Sequence, residues 1–295
     1  MMTIGKASIK RLVDIETFAM PMAIILPQAD LASLEPYRDL LAPTHIDFDA
    51  QAVLLTVQSH IVQVDGLTIL VDTCVGEDKH RPLRPVWHQR SGTGYLERLA
   101  ALGLKPEDID MVMCTHLHPD HVGWNTRLSN GRWVPTFPNA KYVMGQAEFD
   151  HWNTLAQSQP EQPVNQGSFA DSVLPILESQ QEQFVHVGDG LAAGLSIIDL
   201  EGHTKGQIGL DIDGGTGTRA IICGDAVHTP AQVLFPQWSS AFCLDGAAAA
   251  QTRQRLFTCA ASEDVVLVPN HLRGDGMRIE AKGNGNGFMP RFCNC

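Results

Sequence analysis

Six consecutive residues, His116-Leu117-His118-Pro119-Asp120-His121, bring four metal-ligand side chains together. In an extended segment, residues two apart project the same way, so His116 and His118 can grip one cation together. Pro119 resists continuation of a strand. The chain turns there, and Asp120 and His121 can face a second cation. Three further ligand-type residues follow at wide intervals, each beside glycine or at the end of a strand-like run. They are His203 in Glu-Gly-His-Thr, Asp225 in Cys-Gly-Asp and His271 in Pro-Asn-His. Seven ligands, with one carboxylate to spare as a bridge, make the inventory of a two-metal hydrolytic site.

Such residues need strand ends and tight turns to hold them. Val53 to Val57, Ser59 to Val64 and Leu67 to Asp72 are β-branched-rich runs, and Asp65-Gly66 between the last two is a strong hairpin turn. Ile109 to Cys114 is a short apolar run leading into the histidine cluster. Tyr95 to Leu104 carries apolar residues at helical spacing and has a glycine stop at Gly103. Lys141 to Met144 reads as a strand; Gln146 to Leu155 and Gly167 to Leu177 read as helices. The second half repeats the logic. Leu195 to Leu200 is a strand ending before His203. Gln207 to Ile212 and Arg219 to Cys223 form an antiparallel pair around the Gly-rich turn at 213–217. Asp245 to Ala261 is a helix, and Val265 to Val268 is a strand ending before His271. Two β-rich halves flanked by helices predict two sheets packed face to face with helices outside. Residues 1–50 are weakly patterned; they are expected to be a peripheral segment of the same single domain, holding a strand or two and packing at the edge or in a homodimer contact. Residues 51–295 form the domain proper.

With 295 residues, 44% of them hydrophobic, the chain can build a substantial core. No run approaches the roughly 18 to 20 apolar residues of a membrane helix, and no secretory pattern opens the chain, so the expectation is a cytoplasmic protein without membrane contact. Acidic residues exceed basic ones by 33 to 21, giving a net charge of −12. That charge argues against a nucleic-acid partner. Of the seven cysteines, Cys74, Cys114 and Cys223 sit in or beside apolar runs and read as buried free thiols. Cys293 and Cys295 read as part of a disordered tail.

Thr115 to His121 resembles the His-x-His-x-Asp-His signature of the metallo-β-lactamase superfamily. Val71-Asp72-Thr73, Gly202-His203-Thr204, Gly224-Asp225 and Asn270-His271 follow in the order that superfamily uses, so the likeness runs from about residue 53 to 273. It implies an α/β (α+β) chain folded as an αββα four-layer sandwich, with the metals at one edge between the sheets. It also implies that His116, His118 and His203 hold one ion and that Asp120, His121 and His271 hold the other. Asp225 would bridge them, and Asp72 would orient a ligand histidine from behind. Within the superfamily, the long insertion before His203 most resembles the branch of lactonases, arylesterases and methyl-parathion-type hydrolases. That branch's acyl-homoserine lactonases carry a tyrosine three residues after the bridging aspartate; here the position is His228.

The resemblance implies hydrolysis of small uncharged esters or lactones by a metal-bridging hydroxide. Asp120 and Asp225 would hold the charge balance, and His228 would donate to the substrate oxygen or the leaving group. The cofactor expected is two divalent ions: zinc suits the histidines, and iron, manganese or cobalt would also fit. Trp87, Trp124, Phe235 and Trp238, with His88 and Phe242, are expected to line an apolar pocket. Three alternatives stay open: an organophosphate triester hydrolase, a glyoxalase II-like thiolester hydrolase and a non-hydrolytic diiron redox or metal-binding protein. The thiolester reading would want a basic patch, for which the C-terminal region offers Arg273, Arg278 and Lys282.

Overall fold

The computed structural model describes residues 1–215, 217–283 and 287–293. The first sheet contains, in spatial order, β1 (Met2–Ile4), β2 (Ala7–Pro21), β4 (Ala52–Val64), β5 (Leu67–Val71), β6 (Met111–Cys114), β9 (Lys141–Gly145) and β10 (Glu182–Val185). A short β3 (Ile46–Asp47) pairs with one end of β4. A separate hairpin joins β7 (Thr126–Ser129) and β8 (Arg132–Pro135). The second sheet contains β11 (Gly190–Ala192), β12 (Leu195–Asp199), β13 (Ile208–Asp213), β14 (Arg219–Gly224), β15 (Val266–Pro269), β16 (Met277–Ala281) and β17 (Phe288–Phe292).

Successive side chains on a strand point to opposite faces, and here both faces are apolar. Ile61, Leu70 and Val112 face helices, whereas their neighbours Val62, Ile69 and Met113 face the second sheet. Leu195, Leu210, Ile222 and Val268 meet them from that sheet. On its far side, Ile221 and Leu267 pack against Leu256 and Phe257 of the helix Gly246–Glu263. The result is the four-layer αββα sandwich. Asp245 starts that helix, its carboxylate accepting from Ala247 and Ala248 N–H at 2.9 Å. Among the described residues, no helix is long and apolar enough to cross a membrane. Cys74, Cys114 and Cys223 are buried free thiols, whereas Cys295 lies outside the described residues.

Three expectations change. The runs on either side of Gln58 are one continuous strand, because the buried Gln58 amide donates to Leu272 C=O at 3.0 Å and stays inside the sheet. The stretch 167–177 is not a single helix. It is a turn at Val164–Gly167, a wide helical turn at Phe169–Val173 and the short helix Leu174–Glu178, since Pro175 cannot donate the bond that would knit the last two. The stretch holding Cys293 is not a disordered tail: β17 pairs with β16, and Cys293 N–H donates to Gly276 C=O at 2.9 Å. The N-terminal segment supplies β1 and β2 at one edge of the first sheet. β2 pairs with β4 from Ser8 to Pro21, and the stretch after it packs through Ile25, Leu26, Leu34 and Leu41 on Leu234 and Trp238. A strand built on distant partners leaves only a weak local pattern.

The topology creates one functional edge. β5 and β6 run parallel in one sheet, β14 and β15 in the other. Asp72, His116, Asp225 and His271 all lie just beyond the C-terminal ends of these strands, and His203 follows β12.

Candidate metal centre

Each ligand is placed by a local device. β6 ends at Cys114, and His118 precedes a one-turn helix, Pro119–Val122, whose first residue is proline. That turn carries Asp120 and His121. His203 follows Gly202, whose φ of +134° only glycine adopts freely; a Cβ there would lie 2.3 Å from Ala249 N. Gly224, with φ +50°, brings Asp225 against the first sheet, where a Cβ would meet Thr115 Oγ1 at 2.8 Å.

All seven sequence-predicted ligands converge. His118 Nδ1 lies 3.1 Å from His116 Nε2 and 2.9 Å from His203 Nε2. A ring nitrogen offers one hydrogen or one lone pair, so His118 Nδ1 can bond only one of its two neighbours, whereas the three nitrogens together could hold one ion. Around a second point stand Asp120, His121 and His271: His271 Nε2 is 3.6 Å from Asp120 Oδ2, and His121 Nε2 is 4.0 Å from Asp120 Oδ1. Asp225 reaches both. Its Oδ2 lies 3.4 Å from His203 Nε2 and 3.9 Å from His116 Nε2. Its Oδ1 lies 3.3 Å from His121 Nε2 and 3.2 Å from His271 Nε2.

The far nitrogens are tied down, which fixes ring orientation. His271 Nδ1 meets Thr56 C=O at 2.8 Å, and His121 Nδ1 meets Asp72 Oδ2 at 2.8 Å. Fully buried Asp72 also accepts from Thr115 N–H at 2.7 Å, Thr115 Oγ1 at 2.8 Å and Asn270 Nδ2 at 2.7 Å. His203 Nδ1 faces Cys243 Sγ at 3.5 Å.

This donor set fits metal ions. His121 Nε2 and Asp225 Oδ1 are buried without any hydrogen-bond partner, a costly state unless a cation sits between them. Burial, helped by neighbouring histidines, keeps His116 and His203 well below the usual imidazole range, and burial lowers His118 to about 4. These rings stay neutral and ligand-ready. At the other point burial also opposes charge, yet Asp225, Asp72 and Asp120 outweigh it and push His121 up. That half attracts positive charge.

His228 joins the same site. It is buried, with Nε2 3.2 Å from Asp225 Oδ2 and its ring 4.9 Å from that of His203. Neither ring nitrogen has a hydrogen-bond partner. Gln232 Oε1 accepts from its backbone N–H at 2.8 Å and sets its position.

An open cleft with a cavity volume of about 160 Å³ leads to His118, Asp120, His203, Asp225, His228 and His271. Trp87 and Phe242 line it as expected. Trp124, Phe235 and Trp238 do not. Trp124 lies in the core, stacked on Tyr95 at 5.2 Å, because the turn after His121 folds back under the sheet. Phe235 and Trp238 stack on each other at 4.1 Å and pack against the N-terminal segment. His88 is drawn aside, its Nδ1 accepting from Arg81 N–H at 3.0 Å. The remaining wall is Phe18, Met20, Ile25 and Leu55 on one side and Arg84, Asn165 and Gln166 on the other. Sequence reading missed these residues; the i, i+2 spacing of Phe18 and Met20 was the one local sign of a shared strand face.

The family model of the metallo-beta-lactamase superfamily matches residues 53–271. The chain belongs to the metallo-beta-lactamase superfamily. Its fold is similar to that of AidC, a dizinc quorum-quenching lactonase solved with the product N-hexanoyl-L-homoserine. The TM-score is 0.80 at 19% identity, covering 100% of this chain and 97% of that one. The hydrolase AbOPH of the beta lactamase superfamily has the same TM-score at 21% identity, again covering 100% and 97%. In sequence, the superfamily member described here is 30% identical over 92 residues to the N-acyl homoserine lactonase AiiB of Agrobacterium fabrum (strain C58). That match covers 28% of this chain and 33% of the lactonase, so the aligned part spans about a third of the relative's length.

Proposed function

We propose that this chain is a dinuclear metal-dependent hydrolase of small uncharged esters or lactones. The observation that carries the reading is Asp225, whose two carboxylate oxygens each face a different ligand cluster. Two divalent ions held there, zinc in the first instance, would supply Lewis acidity and an acidified water.

The chain's own residues supply the rest. Asp225 and Asp120 offset the positive charge and can accept a hydrogen bond from the attacking water. His228 faces the cleft beside Asp225 and is placed to donate to the departing alkoxide. It takes the place of the tyrosine found in the lactonases resembled. The apolar wall of Phe18, Met20, Ile25, Leu55, Trp87 and Phe242 suits an uncharged acyl group and excludes water around it. Three basic residues considered for a glutathione thiolester are engaged elsewhere: Arg273 with Thr44 C=O, Arg278 with Asp264 and Lys282 with Tyr37. Phosphotriesters are the second reading, since they too are uncharged and suit the apolar wall of the cleft.

The test is turnover by metal-assayed protein of an aryl ester, an acyl-homoserine lactone, an aliphatic lactone, a phosphotriester and a thiolester. Each is run with and without chelator and beside His118→Ala. Turnover lost in both controls, with two metals per chain, is the expected result. Turnover that survives both would overturn the metal-site reading.

A further inference from the structure

We infer that Glu148 is a positioning residue that sets the geometry of the three-histidine half of the metal centre. This rests on the two-metal reading above. Glu148 lies in the first turn of the helix Gln146–Ser158 and is 1% exposed. Its Oε1 accepts from Leu117 N–H at 3.0 Å and from Trp152 Nε1–H at 2.6 Å. Its Oε2 accepts from Gly206 N–H at 3.1 Å. Leu117 separates His116 from His118, and Gly206 lies three residues after His203. One carboxylate therefore ties together the two loops that carry all three imidazoles.

The tie is backed on every side. Leu117 C=O accepts from Asn165 Nδ2 at 2.9 Å, so both faces of that residue's backbone are held. Gly206 sits directly on the helix: a Cβ there would fall 2.2 Å from Glu148 N. The Trp152 ring stands 5.9 Å from the His118 ring. With ring nitrogens converging at 2.9 and 3.1 Å, a shift of one loop by a fraction of an ångström opens the array, and outer partners of this kind hold ligands in register. Asp72 does the matching work elsewhere. It bonds His121 directly and holds Asn270, the neighbour of His271, and it reaches His116 only through Thr115. No bond of Glu148 goes to Asp120, His121 or His271.

The experiment is metal binding by chelator competition with Zn²⁺, together with the electronic spectrum of the Co²⁺-loaded protein, on wild type, Glu148→Ala and Glu148→Gln. Wild type should bind two ions. Glu148→Ala should keep one at wild-type affinity and bind the other about 10- to 100-fold more weakly, with the Co²⁺ bands of that site shifted. Glu148→Gln is nearly isosteric. It keeps an acceptor for Leu117 but sets an N–H against Gly206, so it should fall between the two, and it carries the test if the alanine variant does not fold. Two ions at wild-type affinity and spectrum in the variants would overturn the inference. So would equal weakening of both ions alongside a lowered Tm, the mark of a merely structural role. Fewer than two ions in wild type would instead remove the two-metal reading itself, and this inference with it.

Discussion

The floor and the wall of the cleft are built on different principles. The floor is seven ligands and His228, set on loops just beyond strand ends; short, directional bonds to Asp72 and Thr56 orient His121 and His271, and Glu148 braces the backbone at Leu117. The greater part of the wall is a set of apolar side chains from β2, β4, the segment after β2 and two long loops, whose packing needs no such bonds. The difference teaches that chemistry and selectivity are separable here. Ligand geometry depends on bonds that tolerate little movement, whereas the wall depends on shape and area.

Several substitutions would break or sharpen that contrast. Asp225→Ala removes the one group common to both clusters. Ester or lactone turnover should fall by on the order of 10³-fold, and metal analysis should show fewer than two ions; a loss under tenfold would contradict the bridging role. Asp72→Ala touches no substrate, yet it strips His121 and Asn270 of their partner. A loss of about 10- to 100-fold in metal affinity is expected, measured against chelator.

A third test concerns His45, buried beside the wall strand β4, where Leu54 N–H donates to its C=O at 2.8 Å. Burial, reinforced by Arg273, lowers His45 to about 4. Below the unfolded value near 6.5, the unfolded chain takes up a proton that the folded chain refuses, so stability drops as pH falls toward 4. Between pH 7 and pH 5, wild type should lose about 2 kcal/mol more than His45→Phe in urea unfolding. Identical losses would show that His45 titrates normally. The smallest effect belongs to the wall itself. Ile25→Ala should lower kcat/KM for a long-chain ester about tenfold relative to a short one, with metal content unchanged; an equal loss on both chain lengths would place Ile25 in the floor's support instead.

The same division explains what the sequence disclosed. The floor was legible because its residues sit in short motifs: His116 to His121 declare themselves by type and spacing, and glycines mark the turns before His203 and Asp225. The two packed sheets followed from two β-rich halves flanked by helices, and the four-layer order from the resemblance of the ligand motifs to the superfamily. The wall was not legible. Trp124 was expected in the cleft because it follows the ligands closely, but the turn at Gly123 sends it into the core. Phe18 and Ile25 reach the cleft only because β2 pairs along β4, a contact between segments some forty residues apart whose one local mark is the i, i+2 spacing of Phe18 and Met20. Gln166 lies in a left-handed turn, at φ +57°, where helical spacing had suggested regular structure nearby.

The bond from His271 to Thr56 has a consequence for inheritance. His121 is oriented by a side chain, and a single base change in the Asp72 codon can remove that support. His271 is oriented by a main-chain carbonyl of β4, which every amino acid at position 56 would still present. Of the two histidines flanking Asp120, one can be detuned by mutation and the other is buffered against it, so drift at this centre should be recorded first on the Asp72 side.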